Sequence, residues 1–241
     1  MWAMRLDKAV TLSGLTRAEA RKAIAAGRVT VRSERARDPG LHVEPGEVAL
    51  DGAGIEAPGE VHLMVNKPAG VLTATEDRRL PTVLDLLPEA LRRRGPGPVG
   101  RLDRDVTGLV LLTTDGQLAH RLISPKWKAE KVYRARCEGR LTEAEVKRFA
   151  EGVALSDFVA RPAGMAILEA GDDYSVADVT LSEGKFHQVK RMFAAVGHPL
   201  AALCRLQIGP LTLDEALAPG EWRELTEGEV EGLKRSTGTI Q

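Results

Sequence analysis

Sulfur and aromatic side chains are scarce in this chain of 241 residues: two cysteines, two tyrosines, three tryptophans and four phenylalanines. Cys137 and Cys204 lie far apart with no histidine beside either, so neither a disulfide framework nor a zinc site is expected, and no other metal is implied. No apolar run approaches the roughly 20 residues needed to cross a bilayer. The start, Met1-Trp-Ala-Met-Arg5, lacks a signal-peptide core, and together these absences point to a cytoplasmic protein with no membrane partner. Asparagine occurs once, at Asn66. Depletion of amides is a thermophile tendency, and a GC-rich genome skews composition in the same direction.

Neither sign of charge prevails overall, with 34 basic and 34 acidic side chains. Their distribution is uneven. Residues 1–37 carry nine basic side chains (Arg5, Lys8, Arg17, Arg21, Lys22, Arg28, Arg32, Arg35, Arg37) against three acidic ones (Asp7, Glu19, Glu34), so the rest of the chain is net acidic by the same margin. Such polarity suggests an N-terminal module for a polyanion and a body without general affinity for one.

Along the chain, Arg5 to Ser13 reads as a short helix with Leu6, Ala9 and Val10 on one face, ended by Gly14. Thr16-Arg-Ala-Glu19 is a capping box that opens a second helix to Ala26, and Gly27 supplies its left-handed stop. Short strands follow at Arg28 to Val31, Leu41 to Val43 and Glu47 to Leu50. Arg17 and Arg21 share one side of the second helix, with Lys22 next along and Arg28 beyond its end. The segment resembles the small RNA-binding domain named after ribosomal protein S-four, through Arg5-Leu-Asp-Lys8, the Thr16 to Ile24 helix and Gly27-Arg-Val-Thr-Val31. Gly52-Ala-Gly-Ile-Glu-Ala-Pro-Gly59 then reads as a linker. The expected domains are residues 1–52, a linker over 53–60, a larger α+β body over 61–235 and a tail over 236–241. In the body, strands are expected at Val61 to Val65, Gly108 to Thr113, Lys131 to Glu138, Met165 to Glu169 and Tyr174 to Leu181. Helices are expected at Gln117 to Ile123, capped by Asp115, from Thr142 to about Glu151, and at His187 to Val196.

The chemistry concentrates in Gly100-Arg-Leu-Asp-Arg-Asp-Val-Thr-Gly108, where Arg101, Asp103 and Arg104 precede a continuous apolar stretch, Leu109 to Leu112, that reads as a buried strand. A carboxylate flanked by guanidiniums at the mouth of a core element stays ionised and suits a nucleophile or base. Four further segments stand beside it: Val65-Asn-Lys-Pro-Ala-Gly70; Ser124-Pro-Lys-Trp-Lys-Ala-Glu-Lys-Val-Tyr-Arg-Ala-Arg136, which mixes charge for phosphates with flat rings for bases; Glu183-Gly-Lys-Phe-His-Gln-Val-Lys-Arg-Met-Phe193; and Leu206-Gln-Ile-Gly-Pro210. Each alone would pass for an ordinary turn or surface hairpin.

Taken in order, Asn66 to Gly70, Gly100 to Leu109, Glu130-Lys-Val-Tyr133, Glu183 to Met192 and Ile208-Gly209 resemble the RsuA-type family of rRNA pseudouridine synthases over nearly the whole chain. The resemblance implies an α+β fold: two helices plus a short sheet in the N-terminal domain, then a catalytic domain whose mixed, mostly antiparallel central sheet is flanked by helices. It implies isomerisation of a uridine in ribosomal RNA without a cofactor; nothing in the chain suggests more than a monomer. Asp103 falls on the family's catalytic carboxylate, Tyr133 on its active-site tyrosine and Lys190 on the basic partner of the aspartate, while Asp105 would only support the loop. RNA contacts are expected from Arg5, Lys8, Arg17, Arg21, Lys22, Arg28, Asn66, Lys67, Arg101, Arg104, Lys126, Lys128, Lys131, His187 and Arg191. The ending Leu217-Ala-Pro-Gly-Glu-Trp-Arg-Glu-Leu-Thr226 resembles the small-subunit (16S) branch, so 16S rRNA or an assembling small subunit is the expected partner. Two departures from the family pattern, Leu80 before Pro-Thr-Val and Cys204-Arg-Leu-Gln207, touch none of the three catalytic positions. The same reaction on large-subunit rRNA, and a non-catalytic RNA-binding assembly factor, are the competing readings. A metal site made of Asp103, Asp105 and Asp115 is disfavoured by the apolar strand between Asp105 and Asp115.

Overall fold

A computed structural model describes residues 4–55, 59–124, 126–127 and 129–239, and the chain separates into two compact units, Met1–Gly59 and Glu60–Gln241. In the first, β1 (Met4–Arg5) leads into α1 (Leu6–Thr11), and α2 (Arg17–Ala25) follows. Then come β2 (Val29–Val31), β3 (Glu34–Arg35), β4 (His42–Val43), β5 (Val48–Leu50) and β6 (Ala53–Gly54). The sheet order is β3-β2-β5-β6, and β1 pairs with β4. Leu6, Ala9 and Val10 of α1 and Ala20, Ala23 and Ile24 of α2 recur at helical spacing and bury together against Val29, Val43 and Val48. The Thr16–Glu19 capping box forms, with the Thr16 N–H donating to Glu19 Oε2 at 2.8 Å, and Gly27 takes φ +72°.

Two expectations change in this unit. Arg5 belongs to a strand rather than to the first helix, because its backbone pairs with His42 before Leu6 begins the buried face. The stretch read as a linker from residue 53 starts with β6, which pairs with β5, and with Ile55, which is buried in the unit's core; residues 56–58 of that stretch lie outside the described residues.

The second unit runs β7 (His62–Lys67), α3 (Glu89–Arg93), β8 (Gly97–Pro98), β9 (Thr107–Thr113), α4 (Gly116–Ile123), β10 (Lys131–Glu138) and α5 (Glu143–Glu151). It continues with β11 (Gly164–Ala170), β12 (Tyr174–Leu181), α6 (Gln188–Ala195), β13 (Leu200–Ile208), β14 (Leu211–Thr212), β15 (Trp222–Glu224) and α7 (Glu227–Ser236). The sheet order is β11-β12-β10-β13-β9-β7-β15, with β14 on β13 and β8 on β9. The sheet is mixed: β9 and β13 run parallel, and the other described pairs are antiparallel. This is the expected α+β architecture.

The apolar run in β9 is continuous because both faces of the strand are covered. Val110 and Leu112 pack with Phe149 of α5 and Met192 and Phe193 of α6, while Leu109 and Leu111 pack with Leu118 and Leu122 of α4 and Leu233 of α7. Asp115 caps α4 by accepting from the Gln117 and Leu118 N–H groups, so it is committed there and does not join the other two aspartates. The first part of the expected tail is packed: Ser236 ends α7, Thr237 is fully buried, and Arg121 donates to the carbonyls of Thr237 and Gly238, while residues 240–241 lie outside the described residues. Among the described residues no helix is long and apolar enough to cross a membrane.

Candidate active site

Asp103 sits in the connection between β8 and β9, and that connection is held by backbone contacts from another segment. Lys67, the last residue of β7, is completely buried. Its ammonium donates to the carbonyls of Pro68 (2.9 Å), Arg104 (3.1 Å) and Val106 (2.7 Å). The Gly70 N–H donates to the Arg104 carbonyl at 2.8 Å. Thr73 Oγ1 donates to the Leu102 carbonyl at 2.9 Å and accepts from the Leu102 N–H at 3.2 Å. Residues 67–73 therefore fix residues 102–106 on both sides of Asp103. Burial pulls the Lys67 ammonium down to about 8, against the opposing pull of Asp105 and Asp103.

The polar partners of Asp103 come from the start of α6. Lys190 Nζ lies 3.0 Å from Asp103 Oδ2, and His187 Nε2 lies 3.3 Å from Oδ1. Lys190 also donates to both oxygens of Asp105, at 2.7 and 2.9 Å. Burial opposes the charged form of Lys190, but the hydrogen bonds to Asp105 and Asp103 outweigh it and raise the lysine above its usual range. The same bond from Lys190, against a smaller burial penalty, holds Asp105 below the usual carboxylate range. One ammonium thus clamps two carboxylates.

The clamp depends on how α6 begins. His187 takes φ +50°, a left-handed conformation that turns the chain into the helix at Gln188. The Gln188 side chain accepts from the Lys185 N–H at 3.0 Å and donates to Glu183 Oε1 at 2.6 Å, so the loop before the helix is tied to it. Arg101, Asp103, Tyr133, Glu183, Lys185, His187, Lys190 and Leu203 are among the residues that line one cleft. Tyr133 forms part of its wall from the middle of the sheet and is 8% exposed. The three residues expected to be catalytic, Asp103, Tyr133 and Lys190, are thus brought together.

Several sequence expectations need correction. Asp103 is held by Lys190, the partner the resemblance implied, and also by His187, while the flanking Arg101 and Arg104 are exposed and Arg101 lines the cleft. Asp105 is a direct partner of Lys190 rather than loop support alone. Lys67 cannot meet RNA, because it is buried beneath the loop it holds. Asn66 donates from its side chain to the Leu217 carbonyl at 2.8 Å and so ties down that turn. Lys131 donates to the Ala129 carbonyl, and its ammonium is lowered by burial and by Arg205. Arg191 turns away from the cleft to Ser156 and Asp157.

In the first unit, Arg5, Arg17 and Arg21 converge on the fully buried carboxylate of Asp7, at 3.3, 3.2 and 3.0 Å, with about half of each side chain still exposed. Burial opposes the ionised Asp7, but the bonds from Arg17, Arg5 and Arg21 hold it well below the usual carboxylate range. Arg28 pairs with Asp51, while Lys8 and Lys22 are exposed. Lys126 is exposed above the Trp127 ring, which also lies under Arg121 and against Gly238, and Lys128 lies outside the described residues. The roles of Asp105, His187 toward Asp103, and Lys67 were missed. Asp105 had a signal in its spacing two residues from Asp103, and Lys67 had one in lying two and four residues after Val65 and Leu63 on a strand.

Comparison with known proteins shows the family. Residues 61–195 match the family model described as RNA pseudouridylate synthase, and residues 4–48 match the S4 domain. The chain is 43% identical over 231 residues to an RNA pseudouridine synthase of Bacillus subtilis, covering 94% of this chain and 97% of that protein. It is 41% identical over 232 residues to ribosomal small subunit pseudouridine synthase A of Escherichia coli K12, covering 94% and 98%. A crystal structure of a pseudouridylate synthase superimposes with a TM-score of 0.68 at 39% identity, covering 95% of this chain and 99% of that one.

Proposed function

The chain belongs to the RNA pseudouridylate synthase family, and from that premise we propose that it converts a uridine of small-subunit 16S rRNA into pseudouridine, as a cytoplasmic monomer, with Asp103 as the catalytic carboxylate. In that isomerisation the bond between uracil N1 and ribose C1′ breaks, the base turns, and C5 bonds to C1′; N1 gains a proton and C5 loses one. Nothing is oxidised or reduced, so the balance needs no cofactor.

The observation that carries the reading is an aspartate 3.0 Å from a lysine ammonium in a cleft walled by a tyrosine. Whether Asp103 attacks C1′ or removes the C2′ proton, it must be ionised and fixed in direction. Lys190 and His187 hold its two oxygens, and the clamp from residues 67–73 fixes the loop that carries it. The Tyr133 ring offers a surface for the uracil and its phenol a group for the C5 proton. The uridine reaches this cleft flipped out of its helix. The exposed parts of the S4 domain's basic residues hold the surrounding RNA.

Asp103→Asn is expected to abolish pseudouridine formation on 16S rRNA while leaving rRNA affinity within about tenfold, since one neutralised side chain makes few phosphate contacts. Near wild-type turnover in that variant would remove Asp103 from the role. Chemical mapping of pseudouridines in rRNA from cells with and without the protein is expected to show one site missing from 16S rRNA. A site missing from large-subunit rRNA would move the substrate, and an unchanged map would leave only an assembly role.

A further inference from the structure

Phe186 is 76% exposed, in a chain whose Phe149 and Phe193 are fully buried and whose Phe158 packs against the main core. It stands in the loop that enters α6, between Lys185 and His187, which both line the catalytic cleft. Its ring lies parallel to the His187 ring, with centroids 3.7 Å apart and planes inclined by 20°. The outward turn of this loop is built in, because His187 takes its left-handed φ of +50° and Gln188 ties the loop to Glu183. One face of the phenyl ring is covered by His187, which itself touches Asp103 at 3.3 Å, and the exposure belongs to the rest of the ring.

We propose that Phe186 is the stacking platform for an RNA base adjacent to the target uridine, a reading that rests on the function proposed above. Flipping a uridine out of a stack costs its neighbours their stacking partner. An aromatic face at the rim of the cleft that receives the flipped base replaces that partner, and it tolerates any base because every base has a π-face. The occupant is RNA rather than an apolar protein surface: Arg101 and Lys185 line the same cleft, and the aromatic ring is continuous, through His187, with the residues around Asp103. The resulting order is base, Phe186, His187, Asp103.

The test compares Phe186→Ala, Phe186→Leu and Phe186→Trp on transcribed 16S rRNA, with unfolding curves as a control for folding. For alanine, kcat/KM is expected to fall about 5- to 150-fold, mostly through KM, the range that base–aromatic stacking spans. Leucine should lose nearly as much, and tryptophan should recover most of the loss. In Asp103→Asn protein, adding Phe186→Ala should weaken rRNA binding by a similar factor. An alanine variant within twofold of wild type overturns the proposal, as does full recovery by leucine, which would show that only apolar bulk matters. A loss confined to kcat with unchanged binding also overturns it and would assign Phe186 to orienting His187. Normal turnover on bare rRNA with lost modification in cells would move the surface to a protein partner. If wild type modifies no uridine, the proposed function fails, and the binding comparison still decides the role of Phe186.

Discussion

Lys67 is the residue whose environment departs furthest from what its type suggests. A lysine in Asn-Lys-Pro is by default a solvated turn residue. Here it lies on the same side of β7 as Leu63 and Val65 and enters the interior, where three carbonyls of the catalytic loop and its support take its three protons. Satisfying those carbonyls requires a charged group in a place that disfavours charge, and the ammonium falls from 10.5 to about 8. For a lysine depressed in the folded state, the penalty is full below pH 8, where folded and unfolded chains both hold the proton. It disappears well above 10.5, where both have lost it. Between these limits the unfolded chain binds more protons, so the contribution of Lys67 to stability rises with pH, by of order 3 kcal/mol in total. Urea unfolding of wild type and Lys67→Met from pH 7.5 to 10.5 reads this directly: the difference between the two should change across the window, and a constant difference would show that Lys67 titrates normally. Asp103 and Tyr133 were legible from the sequence because their motifs are contiguous. Lys67 and Asp105 were not, because their roles arise from which strand and which helix end arrive next to them.

At the scale of elements, short-range signals translated well and long-range pairing did not. The capping box at Thr16 is present as read, the helix expected from Thr142 opens on a second, Thr142 with Glu145, and a third, Thr226 with Glu229, opens α7 by the same rule although that helix was not anticipated. The alternation in β12 is visible in its burial pattern. The parallel contact of β9 with β13 had no local signature except one glycine. Gly108 adopts φ +98°, and a Cβ there would lie 2.3 Å from the Arg205 carbonyl oxygen and 2.8 Å from both Arg205 N and Cys204 Sγ. A glycine within a strand often marks such a close approach of another backbone. Gly108→Ala combines a forbidden contact with an unfavourable φ, and neither the Arg205 backbone nor the buried sheet can move aside cheaply. It is expected to destabilise the protein by about 3 kcal/mol or more. Because Gly108 lies two residues beyond Val106, whose carbonyl Lys67 grips, pseudouridine formation should fall in the protein that remains folded. Unfolding midpoints in urea, with activity measured well below the midpoint, separate the two effects; a variant as stable as wild type would mean that β9 and β13 can part without cost.

For the molecule as a whole, the two units differ little in net charge, and what sets the first apart is the clustering of basic side chains in residues 1–37. The excess of six basic side chains in residues 1–37 is nearly offset within the same unit by five acidic side chains in residues 38–59, so attraction of a polyanion to the first unit rests on where its arginines and lysines cluster rather than on its net charge. Much of that charge is engaged: Asp7 gathers Arg5, Arg17 and Arg21, Asp51 takes Arg28 and Glu47 takes Arg32. These pairs do not hide the cations, since each of the five arginine side chains is between 46% and 76% exposed. They orient guanidiniums whose remaining N–H groups can meet phosphate, and Lys8 and Lys22 are exposed beside them in sequence. The second unit holds the entire catalytic cleft, so removal of the first should weaken binding without touching the chemistry at Asp103. A protein lacking residues 1–59 is therefore expected to bind 16S rRNA less tightly and with a shallower dependence of log affinity on log salt, each lost phosphate contact reducing the slope by about 0.7 to 0.9. Filter binding across a salt series measures that slope, and single-turnover assays at saturating protein test whether the bound complex still reacts. An unchanged slope would place the electrostatic contacts in the second unit and leave the basic residues of the first without an RNA-binding role.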